Sequence, residues 1–327
     1  MAPNDFGSPT GTGAKPSADH ALAGFSRCDG GHVPGSQAPA YVLLTPEQSA
    51  IPVLVSVPHA GRAYNPDLLA QMREPARAAL VLEDRYADML GRAIAQETGA
   101  TLLIAEAPRA MLDLNRAPDD VDWSMIVNAT GTRTSHSLAN RRARSGLGLI
   151  PRRLARMGEV WKQPTEHSAL LERLAAVHTP YHAALSQTFG KLRDRWGAAL
   201  LIDLHSMPPV TGHNVPGGRP HLVVGDRFGA SCGAELTAFA LSHLARTRRV
   251  AHNLPYSGGY ILDRHGAPKR AMHALQIEVC RSTYLDADMQ EIGARFTAIA
   301  RELAGFVRSI ADEVVWLGRP HASLAAE

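Results

Sequence analysis

The chain has 327 residues, of which 45% are apolar and 20% are charged, a composition that excludes collagen-like and wholly disordered proteins. Lysine and arginine number 34 against 31 acidic residues, without a lysine-rich block, so no nucleic-acid partner is expected. No run approaches the roughly 18 apolar residues of a spanning helix, and no signal-peptide pattern is present, so we expect a cytoplasmic protein without a membrane partner. The three cysteines lie far apart and predict neither a disulfide framework nor a zinc finger.

One folded domain is predicted between two tails. Residues 1–40 are rich in Gly, Pro, Ser and Ala and show neither strand nor helix periodicity, which predicts a disordered tail, because such a segment buries too little apolar surface. Residues 41–318 are predicted to form the domain, and residues 319–327 a C-terminal tail. The sequence predicts no particular oligomeric state.

Short aliphatic runs alternate with longer amphipathic segments along the domain. The predicted strands are Ile51–Val57, Thr101–Ala105, Ala199–Leu204, His221–Val224 and Ala274–Val279. The predicted helices are Pro75–Thr98, Glu166–Trp196, Gly229–Arg246 and Met289–Val315. Strands separated by helices predict an α/β fold with a largely parallel sheet and helices on both of its faces.

Chemically active side chains stand where three of these strands end. His59 follows the first strand, His205 follows the third, and Glu278 lies near the end of the last. Ligands of such sheets bind outside the carboxyl ends of the strands. A single histidine at a strand end is usually a hydrogen-bonded structural residue, but two on separate strands favour a shared concave site.

Two histidines and one carboxylate are a common ligand set of catalytic zinc, with one position left for water. His59 and His205 fit the imidazole ligands. Glu83, Asp84 and Asp88 are the candidates for the carboxylate, and their spacing alone does not choose between them.

A carboxylate at the end of an apolar strand is costly to bury unless it is paired or faces a site. Glu278 therefore has two interpretations. It forms an ion pair with Arg281 or another arginine, or it acts as the general base beside a metal-activated water.

Several arginines are candidates for binding a carboxylate group, because the guanidinium fork binds carboxylates in a bidentate manner. Arg109 and Arg116 flank the segment Ala110–Asn115, and either is alternatively a surface residue with a packed stem. A later polar stretch is rich in arginine and contains Arg133, Arg141, Arg142 and Arg144. It is either a solvated surface or a second anchor for the substrate, for which Arg144 is the candidate.

A glycine-centred loop, Tyr256-Ser257-Gly258-Gly259-Tyr260, is suited to close approach of the backbone to a ligand, although it is equally consistent with a plain turn. The chain has no GxGxxG motif, no P-loop lysine and no GxSxG elbow, so nucleotide binding and serine hydrolysis have no support.

Seven motifs in this order resemble those of the N-formylglutamate amidohydrolase family. They are Ser56-Val57-Pro58-His59-Ala60-Gly61, Asp84-Arg85-Tyr86-Ala87-Asp88, Leu112-Asp113-Leu114-Asn115-Arg116, Gly146-Leu147-Gly148-Leu149-Ile150, Asp203-Leu204-His205-Ser206-Met207-Pro208, Gly258-Gly259-Tyr260 and Gln276-Ile277-Glu278. The resemblance covers roughly residues 43 to 290. It implies the fold of zinc carboxypeptidases, a three-layer α/β/α sandwich with a mixed, mainly parallel sheet.

The same resemblance implies roles for individual residues. His59 and His205 become ligands of Zn²⁺, and Glu278 becomes the catalytic carboxylate. The Asn-Arg pair, which resembles that of aspartoacylase and succinylglutamate desuccinylase, implies that Asn115 and Arg116 hold the carboxylate of the substrate.

The third ligand departs from the zinc carboxypeptidase pattern. Those enzymes use a Glu three residues after the first histidine, a position occupied here by Arg62. The resemblance to the formylglutamate family therefore selects Asp84, with Glu83 as runner-up.

The implied reaction is zinc-dependent hydrolysis of an N-acyl amino acid, with N-formyl-L-glutamate giving formate and glutamate at the end of a histidine degradation route. Glu278 is expected to move the proton, Arg109 to stabilise the oxyanion, and Tyr256 or Tyr260 to line the acyl side. The loop usually reads Gly-Gly-Tyr-Ile-Thr-Arg-His in this family, whereas here one residue is inserted and Asp263 is added, a change that we expect to reshape the acyl pocket. The alternatives are a deacylase of another N-acyl amino acid, a small peptidase, and a non-catalytic binding protein on the same fold.

Overall fold

A mixed eight-stranded sheet forms the middle layer of the fold. The computed structural model describes residues 22–47, 51–129, 141–210 and 218–319. The strands are β1 (Phe25–Gly30), β2 (Tyr41–Pro46), β3 (Val53–Val57), β4 (Thr101–Ala105), β5 (Ile126–Val127), β6 (Arg153–Leu154), β7 (Gly158–Glu159), β8 (Thr165–Glu166), β9 (Ala199–Met207), β10 (Leu222–Gly225), β11 (Val250–His252) and β12 (Met272–Cys280). The large sheet has the order β1-β2-β4-β3-β9-β12-β10-β11, and two small sheets pair β5 with β8 and β6 with β7.

The centre of the large sheet is parallel. β3 is parallel to both β4 and β9, and β12 is parallel to β9. Three of the outer pairings are antiparallel, namely β1 with β2, β2 with β4 and β10 with β12, whereas β11 is parallel to β10. Every residue of β3, β4 and β9 is buried, as expected for parallel strands that are covered on both faces.

Helices cover both faces of the sheet. They are α1 (Pro66–Gln71), α2 (Pro75–Leu82), α3 (Ala87–Thr98), α4 (Arg141–Arg144), α5 (His167–Arg173), α6 (Thr179–Trp196), α7 (Ala234–Ala245), α8 (Tyr260–His265) and α9 (Phe296–Leu317). One apolar cluster joins the sheet to α3, α7 and α9, and a second joins the opposite face to α1, α2, α5 and α6. The predicted three-layer α/β/α sandwich with a mixed, mainly parallel sheet is confirmed. Among the described helices, none combines the length and the apolar character needed to cross a membrane.

Strand alternation places four polar side chains on one face of the sheet. In β9, Leu200, Ile202 and Leu204 belong to the first apolar cluster, so Asp203 and His205 point to the opposite face. The register pairs Asp203 with Gln276 and His205 with Glu278 of β12. Because paired residues of neighbouring strands share a face, these four side chains form one buried polar patch near the strand ends.

The helix predicted at Pro75–Thr98 is two helices, α2 and α3, separated by residues 83–86. The Asp84 N–H donates to the His59 carbonyl at 2.8 Å instead of continuing the helix. Tyr86, which precedes α3, has a left-handed backbone with φ of 56°. The break was not predicted because its cause is a contact with a distant loop.

The strand predicted at Thr101–Ala105 is observed with the same ends, and the other predicted helices and strands are observed with shifted ends. A π-helical turn, Leu174–His178, joins α5 to α6 inside the predicted helix Glu166–Trp196. The predictions Gly229–Arg246 and Met289–Val315 begin too early, because turns precede α7 and α9. Three strands of the large sheet, β1, β2 and β11, were not predicted.

The predicted N-terminal tail is too long. Phe25–Gly30 forms β1, which pairs with β2 over its full length, and Val33 and Ala40 are completely buried. β1 is an edge strand whose side chains are mostly exposed. Because it is held by main-chain hydrogen bonds and buries few side chains, its sequence shows no alternation of apolar and polar residues. Residues 1–21 and 320–327 lie outside the described residues, so the tail predictions for them stay predictions.

Candidate active site

A cavity of about 430 Å³ lies at the carboxyl ends of β3, β9 and β12. It brings together nine of the residues that the sequence singled out: His59, Asp84, Arg109, Asn115, Arg116, His205, Tyr256, Gly259 and Glu278. The strands and the α2–α3 break supply the most buried members, and the glycine-centred loop forms one wall.

His59, Asp84 and His205 form a compact buried cluster. One ligand atom from each residue lies within 4.8 Å of the others. The Asp84 Oδ2 atom is 3.0 Å from His205 Nδ1 and 3.6 Å from His59 Nδ1. Burial alone would raise the pKa of Asp84, but the hydrogen bond from His205 and the charges of both histidines hold it well below its usual range.

The other ring nitrogens are held by two carboxylates that sequence reasoning missed. His59 Nε2 donates to Asp113 Oδ1 at 2.7 Å, and His205 Nε2 donates to Asp203 Oδ2 at 2.8 Å. These bonds place the proton on Nε2 and turn the Nδ1 atoms toward Asp84. Carboxylates behind metal-binding histidines fix the ring orientation in this way. The sequence motifs Asp113-Leu114-Asn115-Arg116 and Asp203-Leu204-His205 contained both residues without revealing their role.

The cluster fits a divalent metal ion. His59 Nδ1 is buried and has no hydrogen-bond partner among the described residues. A buried nitrogen without a partner is costly unless something binds its lone pair. Two imidazole nitrogens and one carboxylate oxygen form a donor set that suits zinc, with room for further ligands. The residues present are therefore compatible with the predicted Zn²⁺.

The geometry distinguishes the three candidate carboxylates. Asp84 alone faces both histidines. The Glu83 Oε2 atom lies 3.4 Å from Arg85 Nη1, and Asp88 Oδ2 lies 2.8 Å from Arg62 Nη2.

Arg281 holds Asp84 from the side opposite the histidines. Its Nη2 atom is 3.6 Å from Asp84 Oδ1 and also donates to the Glu83 carbonyl, and its Nε donates to Ser206 Oγ at 3.1 Å. The alternative ion pair between Glu278 and Arg281 is not formed among the described residues, because Arg281 is committed to these groups.

Glu278 is buried beside the cluster. Its Oε1 accepts a hydrogen bond of 2.9 Å from Gln276 Nε2. Burial raises the pKa of Glu278 to about 7, an increase to which the charge of Asp84 adds and which the charge of His205 opposes. A carboxyl group with a pKa near neutrality is suited to accept and return a proton.

Arg109 and Arg116 line the cavity, and both pair with Asp113, whose Oδ2 atom lies 3.9 Å from Arg116 Nε. Arg109 Nε donates to Asp113 Oδ2 at 2.9 Å. Arg116 donates through Nε to the Leu147 carbonyl at 2.9 Å and through Nη1 to the Asn115 carbonyl at 2.8 Å. Both guanidinium groups are thus fixed at the cavity wall.

Asn115 contacts the protein with both ends of its amide. Its Oδ1 accepts from the Ile261 N–H at 2.9 Å, and its Nδ2 donates to Asp203 Oδ2 at 3.2 Å. Gly259 packs against this amide so closely that a Cβ atom there would lie 2.6 Å from Asn115 Oδ1. The predicted contact of Asn115 with substrate stays a prediction, and the observed contacts position Asp203.

Two predicted substrate-binding residues do not line the cavity. Arg144 is exposed on α4, and Arg142, two residues earlier, lines the cavity instead. Tyr260 packs on His178 and His182, with ring centroids 5.8 and 5.2 Å away, whereas Tyr256 lines the cavity. The order of arginines in a polar run and of tyrosines in a loop does not reveal which ones turn inward. Arg133 lies outside the described residues.

Comparison with known proteins places this chain in a family. The fold and the cavity define an α/β protein with a buried His-Asp-His cluster whose donor set is compatible with a metal ion. The family model described as N-formylglutamate amidohydrolase matches residues 51–285. The chain belongs to the N-formylglutamate amidohydrolase family and is an enzyme of the amidohydrolase class.

Relatives with similar sequences and structures include three bacterial proteins. N-formylglutamate deformylase of Pseudomonas aeruginosa is 31% identical over 268 residues, which cover 80% of this chain and 94% of the relative. The Pseudomonas putida protein of the same name is 32% identical over 246 residues, which cover 75% of this chain and 85% of the relative. The crystal structure of N-formylglutamate amidohydrolase from Ralstonia eutropha superposes with a TM-score of 0.75 at 28% identity, covering 84% of this chain and 98% of that one.

Proposed function

We propose that the protein hydrolyses the amide bond of N-formyl-L-glutamate to formate and L-glutamate, using a zinc ion held by His59, Asp84 and His205. The observation that carries this proposal is the placement of Glu278 in the same cavity as the His-Asp-His cluster. The names of the relatives, which are called N-formylglutamate deformylase, support the choice of substrate.

A zinc ion in this site supplies Lewis acidity toward water and toward the substrate carbonyl. The protein's part in the reaction is proton transfer by Glu278. Its carboxylate takes a proton from the attacking water as the water oxygen bonds to the formyl carbon, and it gives that proton to the amine nitrogen as the C–N bond breaks. The products are formate and the free amino acid, and Glu278 is left ionised.

Charged groups around the cavity position the substrate and its developing charge. Arg109, held by Asp113, stabilises negative charge on the carbonyl oxygen in the transition state. Arg116 binds the α-carboxylate of the substrate, because its Nη2 group has no protein partner among the described residues. Tyr256 lines the same cavity and bounds the acyl side.

The decisive experiment couples metal content to activity. Zinc per chain is measured by elemental analysis, and formate release from N-formyl-L-glutamate is measured before chelation, after chelation and after zinc is added back. One zinc per chain with activity that is lost and regained would support the proposal. Hydrolysis of N-acetyl or N-succinyl amino acids without formate release would favour another deacylase, and a protein with neither metal nor activity would favour a binding role.

A further inference from the structure

Four arginines line the active-site cavity, and the side chains of two of them are held by hydrogen bonds to groups next to the His-Asp-His cluster. They are Arg109, Arg116, Arg142 and Arg281. Arg109 is bonded to Asp113, and Arg281 is bonded to Ser206 and to main-chain carbonyls. These two guanidinium groups keep the carboxylates of the site in place and are not available for a distant part of the substrate.

Arg142 differs from the other three, because its side chain makes no hydrogen bond or ion pair within the described parts of the chain. It is exposed on the short helix α4 at the edge of the cavity. An arginine that faces a cavity without a partner keeps all five of its N–H donors for a ligand.

The main chain holds Arg142 next to Arg116 although its side chain is free. The Leu147 N–H donates to the Arg142 carbonyl at 3.0 Å, and the Leu147 carbonyl accepts from Arg116 Nε at 2.9 Å. The Asp120 carboxylate accepts from the Ala143 N–H at 3.0 Å and fixes the same turn. One residue, Leu147, thus ties both arginines to one wall.

The local charge at this wall is positive and only partly compensated. Burial lowers the pKa of Arg116, and the positive charges of Arg109 and Arg142 oppose the influence of Asp113, which raises it. Two carboxylates lie nearby. Asp113 is shared by Arg109, His59 and, at 3.9 Å, Arg116 Nε, and Asp120 accepts from the Ala143 N–H, so neither of them pairs with Arg142. A ligand with more than one negative charge would complete this arrangement.

The same part of the cavity offers apolar contacts. Leu147, Leu154 and Ala155 line it together with the two arginines. A short methylene chain can pack on such side chains while its charged ends bind guanidinium groups.

We propose that Arg142 binds the side-chain carboxylate of the substrate while Arg116 binds the α-carboxylate, so that the enzyme selects N-acyl amino acids with two carboxylates. This inference rests on the proposed function and adds its specificity-determining residue. It also replaces Arg144 with Arg142 as the second substrate anchor.

The test compares substrates that differ by one charge. Formate release is measured with N-formyl-L-glutamate, with N-formyl-L-glutamine, which lacks the side-chain charge, and with N-formyl-L-isoglutamine, which lacks the α-carboxylate. Each is given to the wild type and to Arg142→Ala, Arg142→Lys, Arg116→Ala and Arg144→Ala. Far-UV circular dichroism and zinc content verify that each variant is folded and loaded.

Arg142→Ala is expected to reduce kcat/KM for N-formyl-L-glutamate by about 10- to 100-fold, as for a lost hydrogen bond to a charged group, and to leave N-formyl-L-glutamine nearly unchanged. Arg142→Lys should restore part of the preference for N-formyl-L-glutamate over N-formyl-L-glutamine. Arg116→Ala should instead erase the preference for N-formyl-L-glutamate over N-formyl-L-isoglutamine. Arg144→Ala should behave like the wild type.

The inference is overturned if Arg142→Ala lowers kcat/KM equally for glutamate and glutamine substrates, or if Arg144→Ala abolishes the preference. It is also overturned if the wild type hydrolyses both substrates equally well. Failure of the proposed function is a separate result, because then the zinc-loaded wild type releases formate from none of the three compounds.

Discussion

His59 Nε2 lies 2.7 Å from Asp113 Oδ1, and both side chains are almost completely buried. The second oxygen of Asp113 accepts from Arg109 Nε, so one carboxylate orients a predicted metal ligand and a predicted oxyanion-stabilising group. His205 has an equivalent partner in Asp203. The two pairs turn the Nδ1 atoms of both histidines toward Asp84.

Asp113→Asn is expected to weaken zinc binding by about 10- to 100-fold, because outer carboxylates of this kind orient the ligand and raise its basicity. The affinity is measured by competition with a chromophoric chelator. The matched control is Asp119→Asn, since Asp119 is exposed on the same segment. Equal zinc affinity of Asp113→Asn and the control would contradict the role assigned to Asp113.

Asp84→Asn is expected to lose stoichiometric zinc, whereas Glu83→Gln keeps it. Loss of a ligand should cost more than the roughly 10- to 100-fold typical of an outer partner. Both residues are buried and adjacent, so the two variants differ in which carboxylate faces the histidines and hardly differ in burial. Elemental analysis after dialysis against buffer gives the zinc content. Metal loss in Glu83→Gln together with retention in Asp84→Asn would reverse the assignment.

Glu278→Gln is expected to keep zinc and to lower kcat by about 10²- to 10⁴-fold, the usual contribution of a general acid–base group. The amide has nearly the same shape as the carboxylate but cannot accept the proton. Formate release and zinc content are measured on the same preparation. Glu97→Gln, at an exposed position of α3, serves as the control. Near-normal turnover by Glu278→Gln would remove Glu278 from the mechanism.

Gly259→Ala is expected to lower kcat/KM by about 10- to 100-fold, because small displacements of positioning groups have such effects. The added Cβ would approach Asn115 Oδ1 to 2.6 Å and push the amide away from Asp203 and the Ile261 N–H. Gly190→Ala is the control, since a Cβ atom at this position in α6 meets no atom within 4 Å. That control should retain full activity and gain roughly 0.4–1 kcal/mol of stability.

The stability of the protein is expected to fall as the pH decreases below about 6.5, the pKa of histidine in an unfolded chain. His182 donates to the Leu114 carbonyl through Nε2, and its Nδ1 accepts from His265 Nε2. Burial lowers the pKa of His182 to about 2 and that of His265 to about 3. Both stay neutral in the folded state while they take up protons in the unfolded state.

As the pH falls from 6.5 toward the folded-state pKa of each histidine, that histidine lowers the free energy of unfolding by up to about 1.4 kcal/mol per pH unit. Above pH 6.5 its stabilising contribution is complete. His182→Gln should flatten the pH dependence of the unfolding free energy, measured by urea denaturation of the metal-free protein. His32→Gln, at an exposed position, should keep the wild-type slope. Identical slopes for all three proteins would show that His182 is not the titrating group.

Local sequence patterns determined the central part of the fold and predicted that three side chains lie together, and those three line one cavity. β3 and β9 open with continuous apolar runs, residues 53–55 and 199–202, so they are recognisable as buried strands from the sequence alone. In parallel strands the carboxyl ends meet at one edge, which is why His59, His205 and Glu278 were expected to lie together. The edge strand β1 escaped this reasoning because its side chains are exposed.

Only the tertiary structure decided which neighbouring residue faces the site. The choice of Asp84 over Glu83 and Asp88 depends on the Asp84 N–H bonding to the carbonyl of His59, a contact between segments 25 residues apart in number that no local period encodes. The positions of Asp113 and Arg142 depend in the same way on packing across the cavity. Periodicity reflects interactions within one element, whereas a turn or a bend at a strand end is set by whatever other segment supplies its hydrogen bonds.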